Sequence, residues 1–235
     1  MSPVPKEEDQ QPLFARESLF RQRLNQLRST GDFSKNTEHD GSTRLRELEK
    51  GNYLSTIEAS LHNTDPKELE KLTLLDSLTE LYNHSAINRI LKDEIKRAKR
   101  YKSAVSTIAL VVDDIQKIAN EQGPLTFESI LKGVANFLMH TVREVDIPGR
   151  YDFDHLLIIC PETDAHGASI LAERIRSKIE VERISEVGQN WYVTLSLGIS
   201  SYPAQAQDEE HLVANALTAL SDAKQSGGNT FRLTI

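Results

Sequence analysis

The sequence of 235 residues lacks the features of several common protein classes. It has one cysteine, so it has no disulfide within the chain and no cysteine spacing typical of a zinc site. It also lacks an excess of positive charge: its net charge is -7. A nucleic-acid-binding surface is therefore not expected. No apolar run approaches the roughly 20 residues that span a bilayer. Residues 1–9 also lack the apolar core of a signal peptide. These absences predict a cytoplasmic protein without a membrane span.

The first third of the chain predicts a tail and a helical extension. Residues 1–12 are polar and contain proline, which predicts a disordered tail. Residues 13–69 have apolar side chains at helical spacing in 14–28 and 43–62, separated by a polar, glycine-containing linker near 29–42. The apolar stripes are narrow, so these helices suit either a partner helix or the chain's own domain.

Residues 70–235 have the pattern of a mixed α/β domain. Apolar, β-branched runs predict strands at 105–112, 156–160, 191–201 and 230–235. Amphipathic patterns predict helices at 85–101, 127–142, 165–181 and 209–225. This order, with one hairpin, predicts helices packed on a mainly antiparallel sheet.

Five separated motifs in this region resemble those of one enzyme family. They are DSLTELYN at 76–83, RAKRY at 97–101, AERIR at 172–176, VTLSLGI at 193–199, and AK at 223–224 followed by Gly227 and Asn229. Each motif is weak alone, but five in this order and at these intervals are specific. The region resembles the GGDEF domain of diguanylate cyclases, which make cyclic di-GMP from GTP. The resemblance implies an α+β fold similar to the palm of nucleotide cyclases, with a mostly antiparallel five-stranded sheet flanked by helices.

The resemblance also implies that the substrate site has lost residues. The family holds a divalent metal with carboxylates that activate the nucleophile and neutralise phosphate charge. One of these positions is Val111, so Asp113 alone remains of the carboxylate pair. The guanine-recognising positions correspond to Ala119, which has no hydrogen-bonding side chain, and to Glu128. We therefore expect no catalytic metal in this chain.

The signature turn of the family is altered as well. In this sequence the turn reads DFDHL at 152–156, so that Asp152 and Phe153 replace the paired glycines. Glycines there allow a tight hairpin and close approach of phosphate. Gly228 stands where the family has a phosphate-binding arginine. The expected remnant of the active site comprises Asp113, Glu128, Asp154, His155 and Lys224.

The inhibitory site of the family keeps its residues. Its RxxD motif is Arg143 to Asp146, at the family's spacing from the signature turn, and Arg174 matches a further arginine of the site. A guanidinium fork matches guanine and phosphate acceptors, and a carboxylate accepts from guanine N–H groups. The resemblance implies that these three residues bind cyclic di-GMP. The structural alternative is that Arg143 caps its helix, Asp146 pairs with it and Arg174 is an ordinary surface residue. For Arg150 we expect a local salt bridge.

Three functions remain open at this point. The favoured one is a catalytically inactive receptor for cyclic di-GMP that passes the signal to an unidentified protein partner. The second is a ligand-independent scaffold that uses the N-terminal helices. The third is a weak diguanylate cyclase that uses Asp113 and Asp154 with magnesium, and a metal site from Asp113, Asp154 and His155 is a less favoured variant. The sequence leaves a homodimer open and does not name the partner.

Overall fold

The strands of the domain form two separate β-sheets. The computed structural model describes residues 74–186 and 189–234, so the predicted tail and helical extension lie outside the described residues. The strands are β1 (Val105–Val112), β2 (Ile147–Arg150), β3 (Leu156–Pro161), β4 (Ile184–Glu186), β5 (Gln189–Trp191), β6 (Leu195–Tyr202) and β7 (Phe231–Leu233). Five of them form one sheet in the order β2-β3-β1-β6-β7, and β4 and β5 form a short hairpin.

Five helices complete the described domain. They are α1 (His84–Tyr101), α2 (Ile115–Gln122), α3 (Pro124–Thr141), α4 (Ala165–Val181) and α5 (Glu209–Gln225). Three begin at an N-cap whose side chain accepts a backbone N–H from the first turn, namely α1 at Asn83, α4 at Asp164 and α5 at Asp208. None of the helices in this part of the chain has the length and hydrophobicity needed to cross a bilayer.

The main sheet is antiparallel except at one edge. The central strand β1 pairs antiparallel with β3 on one side and with β6 on the other. Strand β2 continues the antiparallel pairing beyond β3, whereas β7 runs parallel to β6. The mostly antiparallel five-stranded sheet expected from the sequence is therefore confirmed.

Helices cover both faces of the sheet. On one face, Ile108, Leu110 and Val112 of β1 join a single apolar cluster with side chains from α3 and α4. On the other face, Thr107 Oγ1 donates to the carbonyl of Leu212 in α5. All eight residues of β1 are buried, which explains why the strand reads as a continuous apolar run rather than an alternating one.

Several boundaries differ from those predicted. Helix α2 is missing from the prediction because it has only eight residues, so its apolar stripe of Ile115, Ile118 and Ala119 spans barely one turn. Strand β2 is missing because it contains Pro148 and Gly149, which are tolerated on this edge strand. The strand predicted at 191–201 is interrupted, since Trp191 ends the β4–β5 hairpin and β6 begins only at Leu195.

Gly198 marks the closest approach between the sheet and a helix. A Cβ atom at this position would overlap the carbonyl of Ala216 and the backbone of Leu220, with its distance to the Leu220 Cα only 2.7 Å. These are backbone atoms of α5 and cannot rotate away. Because Gly198 has no side chain, α5 can pack directly on the sheet at this position.

We predict that Gly198→Ala destabilises the domain by more than about 3 kcal/mol, because the helix must move away from the sheet. Chemical denaturation followed by circular dichroism measures this change. Gly167→Ala is the matched control: Gly167 lies in the first turn of α4, and its added Cβ meets only the side chains of Thr163 and Asp164. Equal stability of the two variants would contradict the packing argument.

Candidate functional site

Arg150 holds the turn that connects β2 and β3, residues 151–155. Its Nη2 donates to the carbonyl of Phe153 at 2.9 Å, and its Nε donates to the carbonyl of Asp152 at 3.1 Å. Its Nη1 pairs with the Asp76 carboxylate at 3.1 Å. The local salt bridge expected for Arg150 is therefore confirmed. It joins the turn to Asp76, the first residue of the DSLTELYN motif.

Asp152 organises the polar groups inside this turn. Its carboxylate accepts the backbone N–H groups of Asp154 and His155 and lies 2.8 Å from His155 Nδ1. Burial acts to raise the pKa of Asp152, but the hydrogen bonds and charge of His155 outweigh it and hold that pKa below its ordinary value. His155 Nδ1 also lies 3.2 Å from Asp154. Asp152, which replaces a glycine of the family turn, is thus the centre of a local hydrogen-bond network.

The potential metal ligands in the turn differ from the predicted set. One ligand atom each from Asp152, Asp154 and His155 lies within 4.8 Å of the others. Among groups of three or more such side chains in the described residues, this is the one that could hold a metal ion, and Asp113 of the less favoured variant is not part of it. The variant with Asp113, Asp154 and His155 is therefore corrected: Asp113 has other partners at the end of β1.

Phe153 packs against the start of α3. Its ring stacks on Phe127 with centroids 4.6 Å apart and an interplanar angle of 17°. Phe127 is buried, whereas Phe153 is 63% exposed. An offset stack of this kind stabilises the turn beyond simple area burial. A glycine at 153 could not make this contact.

Asp113 is fully engaged by hydrogen-bond donors. It follows β1, and its carboxylate accepts from Thr194 Oγ1 at 2.7 Å, Ser196 Oγ at 2.6 Å and the Asn229 backbone N–H at 2.8 Å. A Cβ atom on the adjacent Gly228 would lie 3.1 Å from the Asp113 carboxyl carbon. This carboxylate therefore connects the chain before β7 to the end of β1 and the start of β6, which is a structural role.

The other positions assigned to the substrate site lie on three different helices. Glu128 is exposed on α3, Lys224 is exposed in the last turn of α5, and Ala119 is half-buried on α2. Within residues 74–186 and 189–234, no hydrogen bond or ion pair joins the side chain of Glu128 or Lys224 to Asp113 or Asp154. Val111 is 2% exposed and packs inside the sheet.

The RxxD motif forms a tight turn between α3 and β2. Asp146 Oδ2 accepts the backbone N–H of Arg143 at 2.9 Å, and the Asp146 N–H donates to the carbonyl of Arg143 at 3.0 Å. Asp146 is 2% exposed, whereas the Arg143 side chain is exposed. Asp146 therefore shapes the turn from inside, and Arg143 extends from it into solvent.

Arg174 reaches the same end of α3 from α4. Its Nη2 donates to the carbonyl of Thr141, the last residue of α3, at 3.1 Å. Thr141 lies two residues before Arg143, so the structure brings Arg143, Asp146 and Arg174 to one end of the helix. The helix-capping contact considered for Arg143 is made here by Arg174. The Cys160 thiol is buried, and burial together with the nearby Asp146 charge raises its pKa.

Comparison with known proteins agrees with this fold and these motifs. Residues 73–230 match the family model of the diguanylate cyclase GGDEF domain. This match covers more than half of the chain. The chain therefore belongs to the GGDEF domain family.

Characterised relatives are longer than the matched region. Diguanylate cyclase DosC of Escherichia coli K12 is 31% identical over 160 residues, which cover 68% of this chain and 35% of DosC. Cyclic di-GMP phosphodiesterase NbdA of Pseudomonas aeruginosa is 28% identical over 177 residues, which cover 74% of this chain and 22% of NbdA. The chain thus spans well under half the length of these two relatives.

Solved structures share the fold at lower identity. The GGDEF domain of DgcB from Caulobacter crescentus, in complex with c-di-GMP, has a TM-score of 0.62 and 20% identity, and the match covers 68% of this chain and 94% of that one. Diguanylate cyclase SiaD from Pseudomonas aeruginosa, in complex with its activator SiaC, has a TM-score of 0.66 and 23% identity, with 94% of this chain and 82% of that chain covered.

The contact between Asp76 and Arg150 predicts a pH-dependent stability. Burial acts to raise the pKa of Asp76, but hydrogen bonds from Thr79 and the charge of Arg150 outweigh it and lower that pKa. A lowered folded-state pKa stabilises the fold above the unfolded-state value of about 3.9, and this contribution is lost as pH falls through the folded value. We expect Asp76→Asn to be less stable than wild type at pH 6 and closer to it below pH 3.

Urea denaturation at both pH values measures this difference. A double-mutant cycle with Arg150→Ala isolates the pair, and its coupling energy is expected at pH 6 and not at low pH. A coupling energy that is the same at both pH values would contradict the assignment.

Proposed function

We propose that this chain is a catalytically inactive GGDEF-domain protein that binds cyclic di-GMP at Arg143, Asp146 and Arg174 and passes the signal to a protein partner. One observation carries the proposal. The exposed guanidinium groups of Arg143 and Arg174 lie at the same end of α3, whereas the carboxylate of Asp113 at the substrate site is occupied by three internal donors.

The substrate site supports inactivity for two physical reasons. Transfer at the α-phosphorus of GTP needs carboxylates that hold divalent metal. Val111 has no ligand atom, so only Asp113 remains of the carboxylate pair, and its two oxygens already accept hydrogen bonds from Thr194, Ser196 and the Asn229 N–H. Loss of one oriented charge alone costs several kcal/mol of transition-state stabilisation.

The signature turn supports the same conclusion. The stacking of Phe153 on Phe127 and the Asp152 carboxylate take the place of the small glycines that leave room for phosphate. Asp152 also adds negative charge where a triphosphate would lie. A turn built in this way favours its own internal contacts over a nucleotide.

The end of α3 supports ligand binding. Arginine forks bind guanine and phosphate oxygens through charge-assisted hydrogen bonds. Arg143 is free to turn toward solvent, and Asp146 fixes the backbone that presents it. In this arrangement Asp146 contributes by holding the turn, and its buried carboxylate reaches guanine only if the turn adjusts. The DgcB domain in complex with c-di-GMP has the same fold and supports this ligand class.

A protein partner is the simplest output for a domain without catalysis. Diguanylate cyclase SiaD, which has the same fold, forms a complex with its activator SiaC. The partner of this chain is unidentified, and we propose that cyclic di-GMP changes the affinity of the chain for it.

Residual cyclase activity is the second candidate function. The relative DosC is named as a diguanylate cyclase, and Asp154 retains the carboxylate of the signature turn. In this case magnesium would act through Asp154 with the carboxylate of Asp113 or Asp152.

We expect purified protein incubated with GTP and magnesium to form no cyclic di-GMP, because the metal-binding pair is incomplete. Chromatography and mass spectrometry of the nucleotides measure this, with an active diguanylate cyclase as the positive control. Product above the no-enzyme background that is lost in Asp154→Asn would establish the second candidate instead.

We expect the wild-type chain to bind cyclic di-GMP with a Kd below tens of micromolar in isothermal titration calorimetry. Arg143→Ala should weaken binding at least tenfold, because one charge-assisted contact to the ligand is lost. Arg89→Ala is the matched control, since Arg89 is an exposed arginine on α1.

Absence of binding by the wild-type chain at these concentrations would refute the receptor proposal. The ligand-independent scaffold would then be favoured if deletion of residues 1–62 abolishes the cellular phenotype and Arg143→Ala does not. Equal weakening by Arg143→Ala and Arg89→Ala would place the ligand elsewhere.

A further inference from the structure

Lys178 adds a third cation to the end of α3. Its Nζ lies 3.5 Å from Thr141 Oγ1, one helical turn beyond Arg174, which donates to the Thr141 carbonyl. Residues four apart on a helix lie on the same face. Two cations of α4 therefore converge on the last residue of α3, beside the turn that carries Arg143.

Arg176, the remaining Lys or Arg side chain of α4, does not point to the end of α3. Arg176 pairs with Glu173 at 2.8 Å and with Glu180 at 3.1 Å, and it also donates to Asn229. Its charge is therefore neutralised within the domain. Of the three Lys and Arg side chains on α4, Arg174 and Lys178 are the two directed to the proposed ligand site.

The internal contacts of Lys178 are weak. The hydrogen bond at 3.5 Å is at the limit for such an interaction, and an ammonium group has three donors to satisfy. Its Nζ also lies 5.7 Å from the centre of the Phe137 ring, a cation–π contact at the edge of the useful range. Lys178 is exposed, so it can turn toward an anion without breaking a strong contact.

We propose that Lys178 contacts a phosphate of the cyclic di-GMP bound by Arg143 and Arg174. This inference rests on the proposed function and adds a residue that the sequence motifs do not mark. Each cyclic di-GMP molecule carries two phosphodiester charges, so it offers anionic oxygens to more than one cation at the site. A lysine beside them supplies a compact, rotatable charge suited to a phosphate oxygen.

The competing role for Lys178 is stabilisation of the α3 C-terminus, where cations interact favourably with the helix dipole. The two roles give different results. A phosphate contact affects ligand affinity and its salt dependence, because the attraction between exposed charges is screened by salt. If Lys178 only caps α3, its removal lowers the thermal stability of the free protein and leaves ligand affinity unchanged.

The experiment is calorimetric titration of the full chain with cyclic di-GMP at low and high salt. We expect Lys178→Gln to weaken binding about five- to tenfold at low salt and less at high salt. Lys178→Arg, which keeps the charge, should stay within about twofold of wild type. Lys132→Gln is the matched control, because Lys132 is an exposed lysine on α3, about 13 Å along the helix from Thr141.

Each other outcome has a separate meaning. If wild type binds, Arg143→Ala loses binding and Lys178→Gln does not, the Lys178 inference is overturned and the receptor proposal stands. If Lys178→Gln lowers Tm alone, Lys178 only caps α3 and the inference is overturned. If wild type does not bind, the receptor proposal fails and the Lys178 inference fails with it.

Discussion

The burial of β1 on both faces is the constraint on which the domain depends. The strand pairs along its whole length with β6, and it pairs with β3 on its other side. A slip of one residue would exchange the faces of every side chain, so the register is strongly determined. The loops at the strand ends follow from that register. Asp113 is the first residue after β1, and it therefore lies beside Thr194 and Ser196, which flank the start of β6.

The charged side chains at the strand ends and those at the end of α3 differ in how far they are buried and hydrogen-bonded. At the strand ends, Asp113 is enclosed by donors from distant parts of the chain. At the end of α3, the Asp146 carboxylate is turned inward, and the guanidinium groups of Arg143 and Arg174 are left exposed. A buried, satisfied carboxylate stabilises the fold, whereas exposed arginines retain the capacity to bind an anion. This contrast is the basis of the proposed function in recognition rather than synthesis.

Some residues of the family motifs make structural contacts in this chain. Asp76 pairs with Arg150, which holds the signature turn, and Asn229 links Arg176 of α4 to Asp113. Both residues belong to motifs shared with diguanylate cyclases, and both join segments of the fold in this chain. These motif residues therefore have structural roles in this chain, whatever the chemistry at the end of β1.

The sequence by itself determined the elements with a strong apolar pattern: the bounds of β1 are predicted by a continuous apolar run, and those of α4 and α5 by helical periodicity. It also predicted which positions depart from the family motifs. Tertiary structure alone decided that Asp146 faces inward, that Phe153 stacks on Phe127 and that Lys178 approaches Thr141. The Asn229 N–H reaches Asp113 across 116 positions of sequence. Such contacts depend on how helices and strands pack, and local periodicity carries no information about partners so far apart in the chain.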